Sequence, residues 1–547
     1  MKKSLLLLIF LALVGCKDKD QPLNSDDELH EETPSMKEME FKVLDSKILK
    51  KDSIWADFDA EMAGFLSQDY NRIKSLVYEK SIPQIQQAVA DRDLTYEDLV
   101  LFYLNRIKKY DRENDLSLNS VIAINPNVIA EARKLDSIAD EVDIYSIKGM
   151  PILLKDNINA SEMPTTAGAV VFENNNADDS FIVQRLRENG ALILGKANLS
   201  EWAYFFCGDC PSGYSAVGGQ TLNPYGRKIH DTGGSSSGSG VSTAANFAVA
   251  AVGTETSGSI LSPSSSNSIV GLKPTIGLLS RGGIVPISST LDTPGPMTRN
   301  VIDNAILLNA MTGTDKEDSA SEKLKAPAQD YTAGIKNITD VKAFLSKKRL
   351  GYFKESMEDT LYANAVNDLK EAGANLIEIE QQDIKLPQFT RVLNLDMQKD
   401  LPAYINKYGD KSLNVRDLDA VTSYNKEDSV IRMPYGQKLF YGVLADKASA
   451  KEFSAIKDTL QTNGRAFFDV PMKSNNLDAV LSINNYMAGY AAVAKYPAIT
   501  VPMGYKDNNR PMGLTFIAPT LSEELLLQLA YAYESISHKR KVPANYE

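Results

Sequence analysis

The side chains able to do chemistry are few enough to narrow the reaction. The chain carries three histidines, His30, His230 and His538, and three cysteines, Cys16, Cys207 and Cys210. That supply excludes a histidine-rich metal site, a four-cysteine zinc site and a disulfide framework. Serine, by contrast, crowds the segment Gly233-Gly234-Ser235-Ser236-Ser237-Gly238-Ser239. Its Gly-x-Ser-x-Gly core matches the nucleophile elbow, which needs a strand before it, a helix after it, and an acid and a histidine downstream. Arg227 to Asp231 is not a convincing buried strand, and the only downstream histidine is His538, inside the basic run Ser-His-Lys-Arg-Lys. A phosphate loop fails as well, because no Lys-Ser/Thr pair follows the glycines, and Gly238-Ser239-Gly240 lacks the third glycine of a dinucleotide fingerprint. What remains is a serine activated by lysine, whose neutral amine serves as a base when burial lowers its pKa. Lys155 closes the apolar run Ile152-Leu153-Leu154 and is placed to have its stem buried.

The elements that must hold these groups read as an α/β body. Ser81-Ile82-Pro83 opens one helix, and Thr95 with Asp98 caps a second, whose apolar face carries Leu99, Phe102, Tyr103 and Ile107. Pro151 to Lys155 and Ala191 to Leu194 read as short buried strands, separated by a helix that Asp179 or Ser180 caps and Gly190 closes. Residues 208–300 are rich in Gly, Ser, Thr and Pro and poor in charge, yet they enclose the apolar stretch Val241 to Val252 and the run Ile269 to Leu272. A linker need not bury anything, so small residues here mean closely approaching backbones. Residues 330–470 return to charged, amphipathic material such as Ser356 to Ala372, and read as a helical insertion or lid. Pro497 to Pro502 is a strand returning to the core, and Leu521 to Glu534 a final helix.

Composition fits a globular protein: 547 residues, 43% hydrophobic and 24% charged, with a formal net charge of −12. The acidic balance argues against a general nucleic-acid binder. At the N-terminus, Lys2 and Lys3 precede the apolar run Leu5 to Val14, too short to span a bilayer. Leu13-Val14-Gly15-Cys16 resembles the lipobox of bacterial lipoproteins. On that reading residues 1–16 are a signal peptide, Cys16 is lipidated, and residues 17–60 form a disordered acidic tether that includes His30. Residues 61–547 are the expected enzymatic body, exported to the cell envelope and attached to the membrane through Cys16.

Several ordered motifs carry a further resemblance. The serine loop is followed by Gly253-Thr254-Glu255-Thr256-Ser257-Gly258-Ser259-Ile260 and by Gly271-Leu272-Lys273-Pro274-Thr275. With them stand Pro151 to Asn157, Gly195 to Glu201, and Asp292-Thr293-Pro294-Gly295-Pro296. From about Ile82 to Glu534 the chain resembles the amidase signature family. The resemblance implies a central mixed β-sheet covered by helices on both faces, a Ser-Ser-Lys triad, and no metal or cofactor. Matched residue by residue, it implies Lys155 as base, Ser235 as bridging serine beside a cis peptide bond, and Ser259 as nucleophile. Backbone N–H groups of Thr256, Ser257, Gly258 and Ser259 can face an oxyanion. Ser236, Ser237 and Ser239 are then loop-shaping hydrogen bonders.

The chain departs from many members in carrying Glu255 where Asp is common and Leu261 where Arg is common. With Gly213-Tyr214-Ser215-Ala216 and Gly218-Gly219-Gln220-Thr221, these features resemble the peptide amidase branch, whose members release ammonia from C-terminal peptide amides. The expected substrate is therefore a peptide amide or small carboxamide. An amidotransferase-type subunit shares the signature, but needs cytoplasmic aminoacyl-tRNA and partner subunits that an exported protein does not meet. A catalytically silent surface binding protein with the same fold is the alternative from another class. In an exported protein, Cys207 and Cys210 are expected to form a local disulfide that shapes a loop near the substrate. Trp202, Tyr204 and Phe205 read as core or pocket wall.

Overall fold

The computed structural model describes residues 38–547 apart from 51–53, 56, 66, 113, 139 and 140. The expected signal peptide, Cys16, His30 and most of the acidic tether therefore lie outside the described residues. The last part of the expected tether is corrected. Residues 38–50 lie on the body, where Met39 N–H donates to Lys228 O, Gln220 N–H donates to Leu44 O, and Phe41 and Leu49 pack against the core. Trp55 and Phe58 are buried in that core. The acidic composition of 17–60 hid these few apolar anchors, each of which contributes stability in proportion to the area it buries.

The strands in chain order are β1 (Val121–Ile124), β2 (Pro151–Lys155), β3 (Leu192–Ala197), β4 (Tyr214–Ser215), β5 (Gly219–Gln220), β6 (Ala250–Glu255), β7 (Val270–Lys273), β8 (Thr293–Thr298), β9 (Arg349–Phe353), β10 (Asn375–Ile379), β11 (Ala479–Ile483), β12 (Ala498–Tyr505) and β13 (Pro511–Ile517). Eleven of them form one mixed sheet in the order β1-β3-β2-β6-β8-β7-β12-β13-β11-β9-β10, while β4 and β5 pair separately. β2 runs parallel to both β3 and β6, whereas β8, β7, β12 and β13 are joined antiparallel. β2, β3, β6 and β8 are buried along their whole length, as strands covered on both faces must be. The mixed sheet flanked by helices is the expected α/β fold class.

The helical boundaries follow their local chemistry. Ile82–Ala90 begins with a Ser81–Gln84 capping box, and Thr95 Oγ1 accepts from Asp98 N–H at the start of Tyr96–Ile107. The expected helical insertion over 330–470 is corrected in its first part. β9 and β10 fall inside it and extend the central sheet in parallel with β11. The amphipathic signal of Thr360–Glu371 dominates that stretch, because the flanking strands are only five residues each. The helical layer proper runs from Phe389–Lys407 to Ala450–Asn475 and packs its own core, including Leu401, Phe440 and Phe467.

The small-residue segment forms the centre of the molecule. All eight residues of the helix Ser237–Ala244 are buried. A Cβ at Gly238 would lie 2.4 Å from Asn198 O and 2.5 Å from Ser120 O, so only glycine lets this helix meet the end of β3.

Candidate active site

Lys155 is the last residue of β2 and is fully buried. Its Nζ lies 2.7 Å from Ser235 Oγ, 3.1 Å from Thr254 O and 2.9 Å from Thr254 Oγ1. Thr254 is on the neighbouring strand β6 and is itself fixed by Asn157, whose Nδ2 donates to Thr254 Oγ1 at 3.0 Å. No carboxylate touches the amine. Burial lowers the Lys155 pKa to about 7, while the more distant carboxylates of Asp292 and Glu255 pull it upward. The contacts suit a neutral amine: its two N–H bonds meet the two Thr254 oxygens, and its lone pair is left for the Ser235 hydroxyl.

Ser235 is fully buried, follows a cis peptide bond after Gly234, and accepts from Ser200 N–H through its carbonyl at 3.1 Å. Its neighbours hold the loop. Ser236 Oγ donates to Thr254 O at 3.0 Å, Ser237 Oγ to Gly233 O at 2.6 Å, and Ser239 Oγ to Val252 O at 3.2 Å. Ser236 N–H donates to Ser259 O at 3.2 Å, which ties the serine loop to the turn carrying Ser259. Unlike Ser235, Ser259 is only half-buried, as is Ser257.

Glu255 shapes that turn. Its Oε2 accepts from Ile260 N–H at 2.7 Å and Leu261 N–H at 3.0 Å, so the chain folds back over the carboxylate. Gly258 has φ of +87°, a conformation that favours glycine, and a Cβ there would lie 3.0 Å from Asn485 Nδ2. The N–H groups of Ser257, Gly258 and Ser259 have no acceptor among the described residues. A row of free N–H groups beside an accessible hydroxyl is equipped to stabilise an oxyanion.

A cavity of about 410 Å³ adjoins this centre through Asn157, Thr254 and Thr256, which line it while Lys155, Ser235 and Ser259 do not. Asp292 forms part of its wall; it accepts from Thr256 Oγ1 at 2.6 Å and from the N–H groups of Ile287 and Ser288 at 2.8 and 2.9 Å. Burial pushes the Asp292 carboxyl above its ordinary pKa. The helix Phe389–Lys407 closes the far wall with Asp400, Tyr404 and Lys407. Ala203 also lines the cavity, on a loop whose Cys207 and Cys210 are joined in a disulfide. Trp202, against Phe172 and Phe440, and Phe205 are buried as expected, but Tyr204 is corrected: it is exposed, with its hydroxyl donating to Cys210 O.

The two histidines among the described residues stand apart from this centre. His230 is buried with Nε2 3.0 Å from Asn508 O, and His538 caps the C-terminus of Glu523–Ser537 in a left-handed conformation. Sequence reasoning missed Thr254 and Asn157, although both lie inside the quoted motifs. The available signal was the side-by-side pairing of two buried strands, which puts the residue after Val252 and Gly253 beside the end of β2.

This fold brings a buried lysine amine, a buried serine hydroxyl and a turn with free N–H groups together beside a cavity. The Amidase family model matches residues 98–433. A relative from Arabidopsis thaliana, described as a probable amidase, is 33% identical over 485 residues, covering 85% of this chain and 92% of its own. Among solved structures, an amidase family protein from Bacillus anthracis aligns with a TM-score of 0.86 at 36% identity, covering 93% of this chain and 99% of that one. The native peptide amidase from Stenotrophomonas maltophilia aligns with a TM-score of 0.79 at 35% identity, covering 85% and 98%. The chain belongs to the amidase family. It is an amidase, a hydrolase of non-ring amide bonds.

Proposed function

We propose that the protein hydrolyses C-terminal peptide amides or small carboxamides through an acyl-enzyme formed on Ser259. Neutral Lys155 takes a proton through Ser235 as Ser259 Oγ attacks the carbonyl carbon. The oxyanion is held by N–H groups of the 256–259 turn, at about 3 kcal/mol per donor in comparable sites. The same relay returns the proton to the leaving nitrogen, the C–N bond breaks, and water then attacks the ester carbonyl with Lys155 again as base. Ammonia or an amine leaves in the first half, and the free acid in the second.

The observation that carries this reading is the buried Lys155 amine, 2.7 Å from Ser235 Oγ and without a carboxylate partner. The likeness to a peptide amidase structure at 35% identity supports peptide amides as the substrate class. The lipobox-like Leu13-Val14-Gly15-Cys16 supports export and attachment of the enzyme to the cell envelope through a lipid on Cys16. Ammonia release from a panel of amidated peptides, compared between wild type and Ser259→Ala, tests the reaction. Turnover that survives in Ser259→Ala but is lost in His538→Ala would overturn the lysine-based mechanism. Mass spectrometry of the mature N-terminus checks the lipid on Cys16.

A further inference from the structure

A second cavity, about 670 Å³, opens beside the catalytic one and shares Arg281, Ser289 and Ser319 with it. Its wall carries five cations from four parts of the fold: Arg281 from the loop after β7, Lys323 from Ser319–Leu324, Lys457 and Arg465 from Ala450–Asn475, and Lys495 at the end of Ala488–Ala494. Asp458 is the single carboxylate lining it. The chain as a whole is acidic, with 71 Asp and Glu against 59 Lys and Arg, so this local excess runs against the composition.

Only Arg281 is neutralised within the protein, by the bidentate contact of its guanidinium with Asp318. Lys323, Lys457, Arg465 and Lys495 have no ion pair among the described residues. Lys495 is the inner member, held in a left-handed conformation with its carbonyl accepting from Thr520 Oγ1. Burial and the fields of Arg465, Arg281, Lys457 and Lys323 hold its ammonium below the usual lysine range. Like charges gathered in one depression destabilise the fold by mutual repulsion, and a bound anion reverses the sign of that term. Side chains fanning in from separate elements suit a ligand with several anionic oxygens rather than a single carboxylate on a flat face.

We propose that this cavity is a binding site for a multivalent anion, of the phosphate or polycarboxylate class, adjoining the amide-binding cavity. The anion is either the distal part of an amide substrate or a separate small molecule.

Calorimetric titration of the full chain with inorganic pyrophosphate tests the site, and reads binding whether or not the protein hydrolyses any amide. Saturable one-to-one binding that weakens with added salt is expected. Lys457→Glu/Arg465→Glu should weaken it about tenfold or more. Lys451→Glu/Lys473→Glu, an exposed change of the same charge on the same helix, should weaken it less than about twofold. No saturable binding, or equal loss in both variants, overturns the proposal. Two supporting outcomes separate the sources. An anion that belongs to the substrate makes pyrophosphate a competitive inhibitor of an acidic amide, whereas a separate ligand binds equally well in the presence of that acidic amide at saturation.

Discussion

Two lysines on adjacent strands, Lys155 at the end of β2 and Lys196 in β3, are both completely buried, yet their surroundings differ in kind. Lys196 Nζ donates to Asp156 Oδ1 at 3.0 Å, to Ile158 O at 2.7 Å and to Thr165 Oγ1 at 2.9 Å. All three ammonium protons have acceptors, and one acceptor is a carboxylate that Thr166 also holds. Lys155 meets only hydroxyl and carbonyl oxygens. Burial lowers the pKa of both amines, but only at Lys196 does a contacting carboxylate oppose that shift. Burial alone therefore does not make a base. What differs is the contacting carboxylate, and one residue of the sheet separates the two surroundings.

The largest expected effect breaks the pair apart in activity. Lys155→Ala should lower kcat for amide hydrolysis by about 10³-fold or more while the protein still unfolds in one cooperative step. Circular dichroism and single-turnover kinetics check both halves, and a variant that kept its activity would remove the basis of the comparison. Next comes Lys196→Met, which leaves the Asp156 carboxylate buried and unpaired. It should destabilise the fold by about 3–5 kcal/mol in urea denaturation.

A third test concerns the charge state itself. With Lys155 titrating at about 7, it is protonated and inactive below that pH and neutral above it, so kcat/KM should rise through neutral pH and level off in mild alkali. Because the Asp292 carboxylate favours the charged amine, Asp292→Asn should move the acid limb to lower pH, by less than about one unit. An upward movement would mean that Asp292 acts on the lysine other than through its charge. The smallest effect lies at the cavity wall. Cys207→Ser should alter KM by a few-fold through the loop that carries Ala203, and destabilise by no more than about 2 kcal/mol, since the disulfide closes a very short loop. The acid limb of the pH profile should stay where it is.

Much of this site could be read in the chain before its fold was known. Few histidines, a lysine ending an apolar run, and a serine loop of small residues left lysine as the remaining base, and only the family resemblance gave that reading weight. The ordered motifs then pointed to the family. The expected close packing of small residues is borne out at Gly238, where Cβ has no room. The strands β9 and β10 were not legible, because two five-residue strands beside a twelve-residue amphipathic helix leave little periodic signal. Residues 38–50 were misread for a related reason: they are a short run continuing an acidic stretch, and only their docking partners 170 or more positions away in several cases give them a place.

By itself the sequence determined the reagents: which side chains exist, which runs are apolar, and where glycine permits backbones to meet. These are properties of residue type and near neighbours, and they survive without knowledge of distant contacts. Only the tertiary structure decided which buried lysine is left without a carboxylate. It also decided that Thr254 and Asn157 orient that lysine, and that four cations without an ion pair among the described residues gather beside the cavity next to it. Each of these depends on strands and helices far apart in the chain coming within a few ångströms of one another, where Coulomb and hydrogen-bond energies are decided.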